Sequence, residues 1–137
     1  MHAYFRIILI FIMAFVPFVN SSAEDEIAPQ KASYYAFDEA FTINFLNQSK
    51  QQVRYLQIKV TLMAHQQEAI DNASANLPML QDALRTLFSE QGFNDVNSVE
   101  GRRTLQSTAL STINTILKNE LASDPVEAVY FTSFILQ

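Results

Sequence analysis

The stretch VEAVYFTSFILQ, Val126 to Gln137, decides the fold. Apolar residues fill both alternating sets of positions: Val126, Ala128, Tyr130, Phe134 and Leu136 in one, Val129, Phe131 and Ile135 in the other. A β-branched and aromatic run that is apolar on both sides belongs inside a sheet. It is therefore expected to be a central or closing strand that arrives last, into a slot left by the upstream chain.

Working back from it, Asp124-Pro125 stops a helix and turns the chain into the strand, with Pro125 placed where a missing N–H is tolerated. That helix carries Leu105, Ala109, Ile113, Ile116, Leu117 and Leu121 on its buried side, and Arg102, Arg103, Gln106, Ser111, Thr115 and Lys118 mostly outward. Asn97 and Glu100 have the spacing of a helix-start box. Further back, Leu77, Leu80, Leu84, Leu87 and Phe88 fall on one helical face, and Gly92 is placed to end that helix in a left-handed cap. Pro78 predicts a break near Leu77, separating this helix from an alanine-containing one over Gln66 to Asn76.

Before His65 the period is two. Leu56, Ile58, Val60 and Leu62 alternate with Gln57, Lys59 and Thr61, and the preceding run places Tyr35, Phe37, Phe41, Ile43 and Phe45 at odd positions, with a bend near Asp38 and Glu39. These two runs read as an antiparallel hairpin across the polar turn Asn47 to Gln52, its register set by the hydrophobic pattern. The expected fold is α+β: a small antiparallel sheet, the hairpin plus the C-terminal strand, packed against three helices on one face.

Size and composition confine this to one domain. The chain has 137 residues, no cysteine, two glycines and a net charge of −5. Without cysteine the core holds by packing, which suits an oxidising compartment without requiring one. Residues 1–23 read as targeting: Arg6, the uncharged run Ile7 to Val19, then Ser21-x-Ala23 as a small-residue cleavage site. The rival reading is an uncleaved short anchor with Arg6 at the cytoplasmic headgroups. Both place the remainder outside the cytoplasm, as a polar linker over 24–33 and a domain over 34–137. Removal of residues 1–23 leaves eight cationic against fourteen acidic side chains, a charge of −6 that argues against a nucleic-acid partner.

The search for chemistry yields little. His65 stands at a strand-to-helix turn with no partner motif near it in sequence. Glu68 and Asp71 are three apart on a helix, a spacing that usually makes a solvated face. Glycine only at 92 and 101 precludes a phosphate loop, and no serine lies in a G-x-S-x-G context. No catalytic, cofactor or metal residue is assigned, and the chain reads as a non-enzyme. If helices cover one side of the sheet, Tyr130, Phe134 and Leu136 form an exposed apolar row of the kind that marks a partner surface; the other outcome is a sheet covered on both sides.

Gly101-Arg102, with Arg103 beside them, leading a helix with Leu105, then Ile113-Asn114 and Leu117, followed after a Pro-containing turn by Val129-Tyr130-Phe131-Thr132-x-Phe134-x-x-Gln137, resembles the FliL family of flagellar basal body-associated proteins. Tyr55-Leu56 and Pro78-Met79-Leu80-x-Asp82-Ala83 are similar to it as well, so the resemblance covers Tyr35 to Gln137. It implies a periplasmic domain of stomatin/prohibitin (SPFH-like) type at the inner membrane surface, a homo-oligomeric ring around the MotA–MotB stator that supports motility under load. It further implies close approach at Gly101, a hydrogen-bonding role for Asn114, and core and subunit contacts from Tyr130, Phe131, Thr132 and Phe134. The sequence departs from the family at its front, where the signal-like segment leads almost directly into the domain, as in a short variant. The alternative function is a periplasmic adaptor or scaffold of another envelope assembly.

Overall fold

The computed structural model describes residues 30–45 and 53–137. The targeting segment 1–23, most of the linker and the Asn47 to Gln52 turn lie outside the described residues. The order is β1 (Ser33–Ala36), β2 (Phe41–Asn44), β3 (Tyr55–Ala64), α1 (Gln67–Ala75), α2 (Leu77–Ser89), α3 (Phe93–Val96), α4 (Val99–Leu121) and β4 (Ala128–Leu136). Among the described residues the architecture is α+β, a four-stranded antiparallel sheet with four helices.

The hub of the sheet is β3. Its alternating sequence buries Leu56, Ile58, Val60, Leu62 and Ala64 on one face. β4 pairs with it from Leu56 to Met63 along one edge, so β1 and β2 share the other. The single strand expected over Tyr35 to Phe45 is broken in two. Ala36 opposes Thr61 while Phe41 opposes Ile58, which leaves two extra residues at the Asp38–Glu39 bend. Because the excess is even, side-chain parity is preserved, and Phe37, Phe41, Ile43 and Phe45 all stay buried.

The C-terminal strand departs from expectation in two ways. Among the described residues β4 pairs only with β3, so it is an edge strand and not a central one. Its faces also differ from the simple alternation. Lys59 opposes Ser133 and Val60 opposes Phe131, so Thr132 is the extra residue of a β-bulge. One inserted residue reverses parity. Val129, Phe131, Phe134 and Leu136 therefore all lie opposite buried positions of β3, whereas Tyr130 and Ile135 lie opposite Thr61 and Gln57 on the outer face. Phe134 and Leu136 are thus half-buried beside the core instead of joining Tyr130. Apolarity on both alternating sets here reflects a bulge, not burial on both faces.

All helices lie on the inner face. Leu80, Leu84 and Phe88 of α2, and Leu105, Ala109, Ile113 and Leu117 of α4, recur every fourth residue and are buried. Phe88 joins the layers, with ring centroids 5.2 Å from Phe41 and 5.8 Å from Phe131. Full burial of each such side chain contributes about 1.5–3 kcal/mol. The expected break falls at Asn76, which leaves Pro78 in the first turn of α2, where its missing N–H costs no intrahelical bond.

The junctions differ from the sequence reading. Gly92 has φ −84° and opens α3, an additional one-turn helix, with its N–H bonded to Asp95 Oδ2; it is not a left-handed cap. The start of α4 is capped by Ser98, one residue after Asn97, through an N–H···Oγ bond of 2.9 Å from Gly101. The left-handed cap belongs to Ala122 at the end of α4, with φ 47° and ψ 33°.

Candidate interaction surface

The one-sided placement of the helices leaves the outer face of the sheet uncovered among the described residues. Tyr34 of β1 is 61% exposed, and Tyr130 and Ile135 of β4 are 40% and 39% exposed. Tyr34 stands opposite Met63 and Tyr130 opposite Thr61, so the two tyrosines flank the outer face of β3 from its two edges. These exposed apolar side chains share the outer face of the sheet.

Beside that face runs the outer edge of β4, and α4 lies against it. Asn114 Nδ2–H donates to Val126 O and its Oδ1 accepts from Val126 N–H, both at 2.9 Å. Gln106 Nε2–H donates to Val129 O. Nearer its start, α4 presents Arg102, whose Nε–H donates to Val96 O and whose guanidinium lies 4.8 Å from the Phe134 ring centroid. Phe134 stacks on Phe131 at 6.0 Å. Arg103 is exposed on the same turn. Grooves of about 410 and 580 Å³ open on either side of the Arg102–Phe134 pair.

The residues singled out from the sequence thus fall into two groups. Arg102, Arg103, Tyr130, Phe131 and Phe134 line one groove. Gln137 lines the other, and its backbone and side chain both bond Tyr55. Thr132 sits at the bulge with its hydroxyl directed to Lys59 O. Gly101 and Asn114 act elsewhere, inside the α3–α4 junction and at the entrance to β4. A Cβ at Gly101 would stand 1.5 Å from Asp95 O. Gln106, expected outward on the helix, is half-buried against Val129 instead, and no periodicity or spacing marks Arg54, whose guanidinium lies 4.0 Å from the Phe93 centroid.

His65 has a partner after all, 62 residues away. Its backbone N–H bonds Glu127 Oε1 at 2.8 Å and its Nδ1 lies 2.7 Å from Glu127 Oε2. The backbone N–H, then the ring contact, hold the Glu127 carboxyl below its ordinary range. This pair ties the end of β3 to the start of β4. Asp71 accepts from Gln67, and among the described residues no group of three acidic or histidine side chains could hold a metal ion. No helix among them is long and apolar enough to cross a membrane.

Residues 34–137 match the family model described as flagellar basal body-associated protein FliL. The flagellar protein FliL of Aquifex aeolicus (strain VF5) is 29% identical over 109 residues. That alignment takes in 80% of this chain and 64% of the relative, so the chain spans just under two thirds of the relative's length.

Proposed function

The chain belongs to the FliL family of flagellar basal body-associated proteins, and from that membership we propose that it is a non-enzymatic accessory of the flagellar motor. It self-associates around the MotA–MotB stator and supports stator output under load. The domain works in the periplasm at the inner membrane, delivered by residues 1–23 as a cleaved signal or a short anchor.

The observation that carries this reading beyond membership is the open outer face. Tyr34, Tyr130 and Ile135 stay exposed although the helices on the other side bury the rest of the apolar core. A domain that leaves aromatic residues on an open sheet face is suited to meeting another protein. Tyr130 supplies subunit contacts from this face. Gly101, Asn114, Phe131 and Phe134 serve it indirectly by fixing α4 and β4 beneath it.

Swimming speed of a strain lacking the chain, at ordinary and raised viscosity with filaments counted, tests the role. A deficit that grows with load while filaments persist is expected, together with copurification of stator proteins. Normal speed at both loads would sink the motor role. Loss of filaments would move it to basal-body assembly, and copurification with a different envelope complex would make the chain an adaptor there.

A further inference from the structure

We propose that the outer edge of β4 from Phe131 to Leu136, with its two flanking grooves, docks an extended acidic segment of a partner protein as an added strand. The first support is the edge itself. β4 pairs only with β3 among the described residues, and an unpaired strand edge offers a row of backbone groups to an incoming strand. The chain upstream is taken: the Asn114 amide occupies Val126 just ahead of β4, and Gln106 occupies the Val129 carbonyl at its start. Among the described residues no α4 amide bonds β4 beyond Val129, so the available edge begins at Phe131.

Charge supplies the second support and selects the occupant. Arg102 and Arg103 lie side by side along this edge in a chain whose net charge is −5. Neither Arg102 nor Arg103 forms an ion pair among the described residues. Carboxylates of an acidic strand meet the planar guanidinium donors of Arg102 and Arg103, whereas a basic strand is repelled. The side chains of an added strand alternate. One set reaches the Arg102 and Arg103 side, between Val99 and Phe131; the other lies over the open face beside Tyr130 and Ile135. The chemistry is independent of which motor protein supplies the segment, so this surface stands or falls apart from the stator role.

The test uses the purified chain and fluorescein-labelled (Glu-Val)5 and (Lys-Val)5 peptides, read by fluorescence anisotropy. The acidic peptide is expected to bind at least tenfold more tightly than the basic one. Arg103→Glu, at an exposed position, should weaken it at least tenfold with an unchanged melting temperature. N-methylation of either all Glu or all Val positions should abolish binding in one of the two patterns, because only one row of peptide N–H groups faces β4. Equal binding of acidic and basic peptides, full binding to the Arg103→Glu chain, or full binding of both N-methylated peptides would overturn the proposal. So would self-association without peptide that Arg103→Glu abolishes, since the edge would then belong to a second copy.

Discussion

The side-chain amide of Asn114 grips the backbone of Val126 from both sides, donating to its carbonyl and accepting from its N–H. Asn114 lies in the C-terminal half of α4, and Val126 is 1% exposed at the approach to β4. A polar residue on a long helix thus stands in for the neighbouring strand that the edge lacks at this point. Its replacement leaves two backbone groups that water reaches poorly. Asn114→Leu is expected to cost about 2–4 kcal/mol, with each lost bond to a buried group at about 1–2 kcal/mol. Urea unfolding measures it; a loss under about 0.5 kcal/mol would mean the clamp is redundant.

Gly101 is required by space, not by its dihedral angle, since no glycine has positive φ. A methyl group there collides with the Asp95 carbonyl unless α3 moves. Gly101→Ala is expected to destabilise by about 1–3 kcal/mol, the range for overpacking. Faster amide exchange at residues 92–98 than at the centre of α2 should accompany it. An unchanged unfolding midpoint would show that the junction yields freely.

Ala122 pays the converse penalty. A left-handed conformation costs an L-residue about 1–2 kcal/mol relative to glycine, offset in part by glycine's greater freedom when unfolded, about 0.4–1 kcal/mol. Ala122→Gly should therefore raise stability by about 0.5–1 kcal/mol. Differential scanning calorimetry registers this as an upward shift of a few degrees.

Tyr130 and Phe134 should now separate cleanly. Tyr130→Asp changes an exposed outer-face position and is expected to leave the melting temperature nearly unchanged while weakening self-association in light scattering. Phe134→Asp places a carboxylate against Phe131 and the core, and should cost about 2–3 kcal/mol. Unfolding by both variants would mean that the outer face is structural.

The Glu127 carboxyl is held below its ordinary value of 4.5, chiefly by the His65 backbone N–H and then by the ring. A depressed carboxylate pKa contributes stability that is present above the unfolded value and lost as pH falls through the folded one. Melting temperature followed from pH 6 downward should therefore decline more steeply for the native chain than for Glu127→Gln, with the gap closing once Glu127 is protonated in both states. Parallel curves would remove the pair from acid stability.

The sequence by itself determined the class of fold and most of the core. Period-two runs at Tyr35 to Phe45 and Leu56 to Leu62, and four-residue spacing at Leu80, Leu84 and Phe88 and from Leu105 to Leu117, are local patterns that burial follows directly. The ordered motif from Gly101 to Gln137 carried the family. What only tertiary structure decided depends on cross-chain register and on contacts distant in sequence. The bulge at Thr132 follows from the pairing of β4 with eight residues of β3, Leu56 to Met63, and that one extra residue moves Phe134 and Leu136 to the core side and leaves Tyr130 and Ile135 outside. The placement of β4 at an edge, the Asn114 clamp and the joining of His65 to Glu127 are likewise invisible to periodicity, because a period records which face a residue takes within its own element and not which element comes to lie beside it.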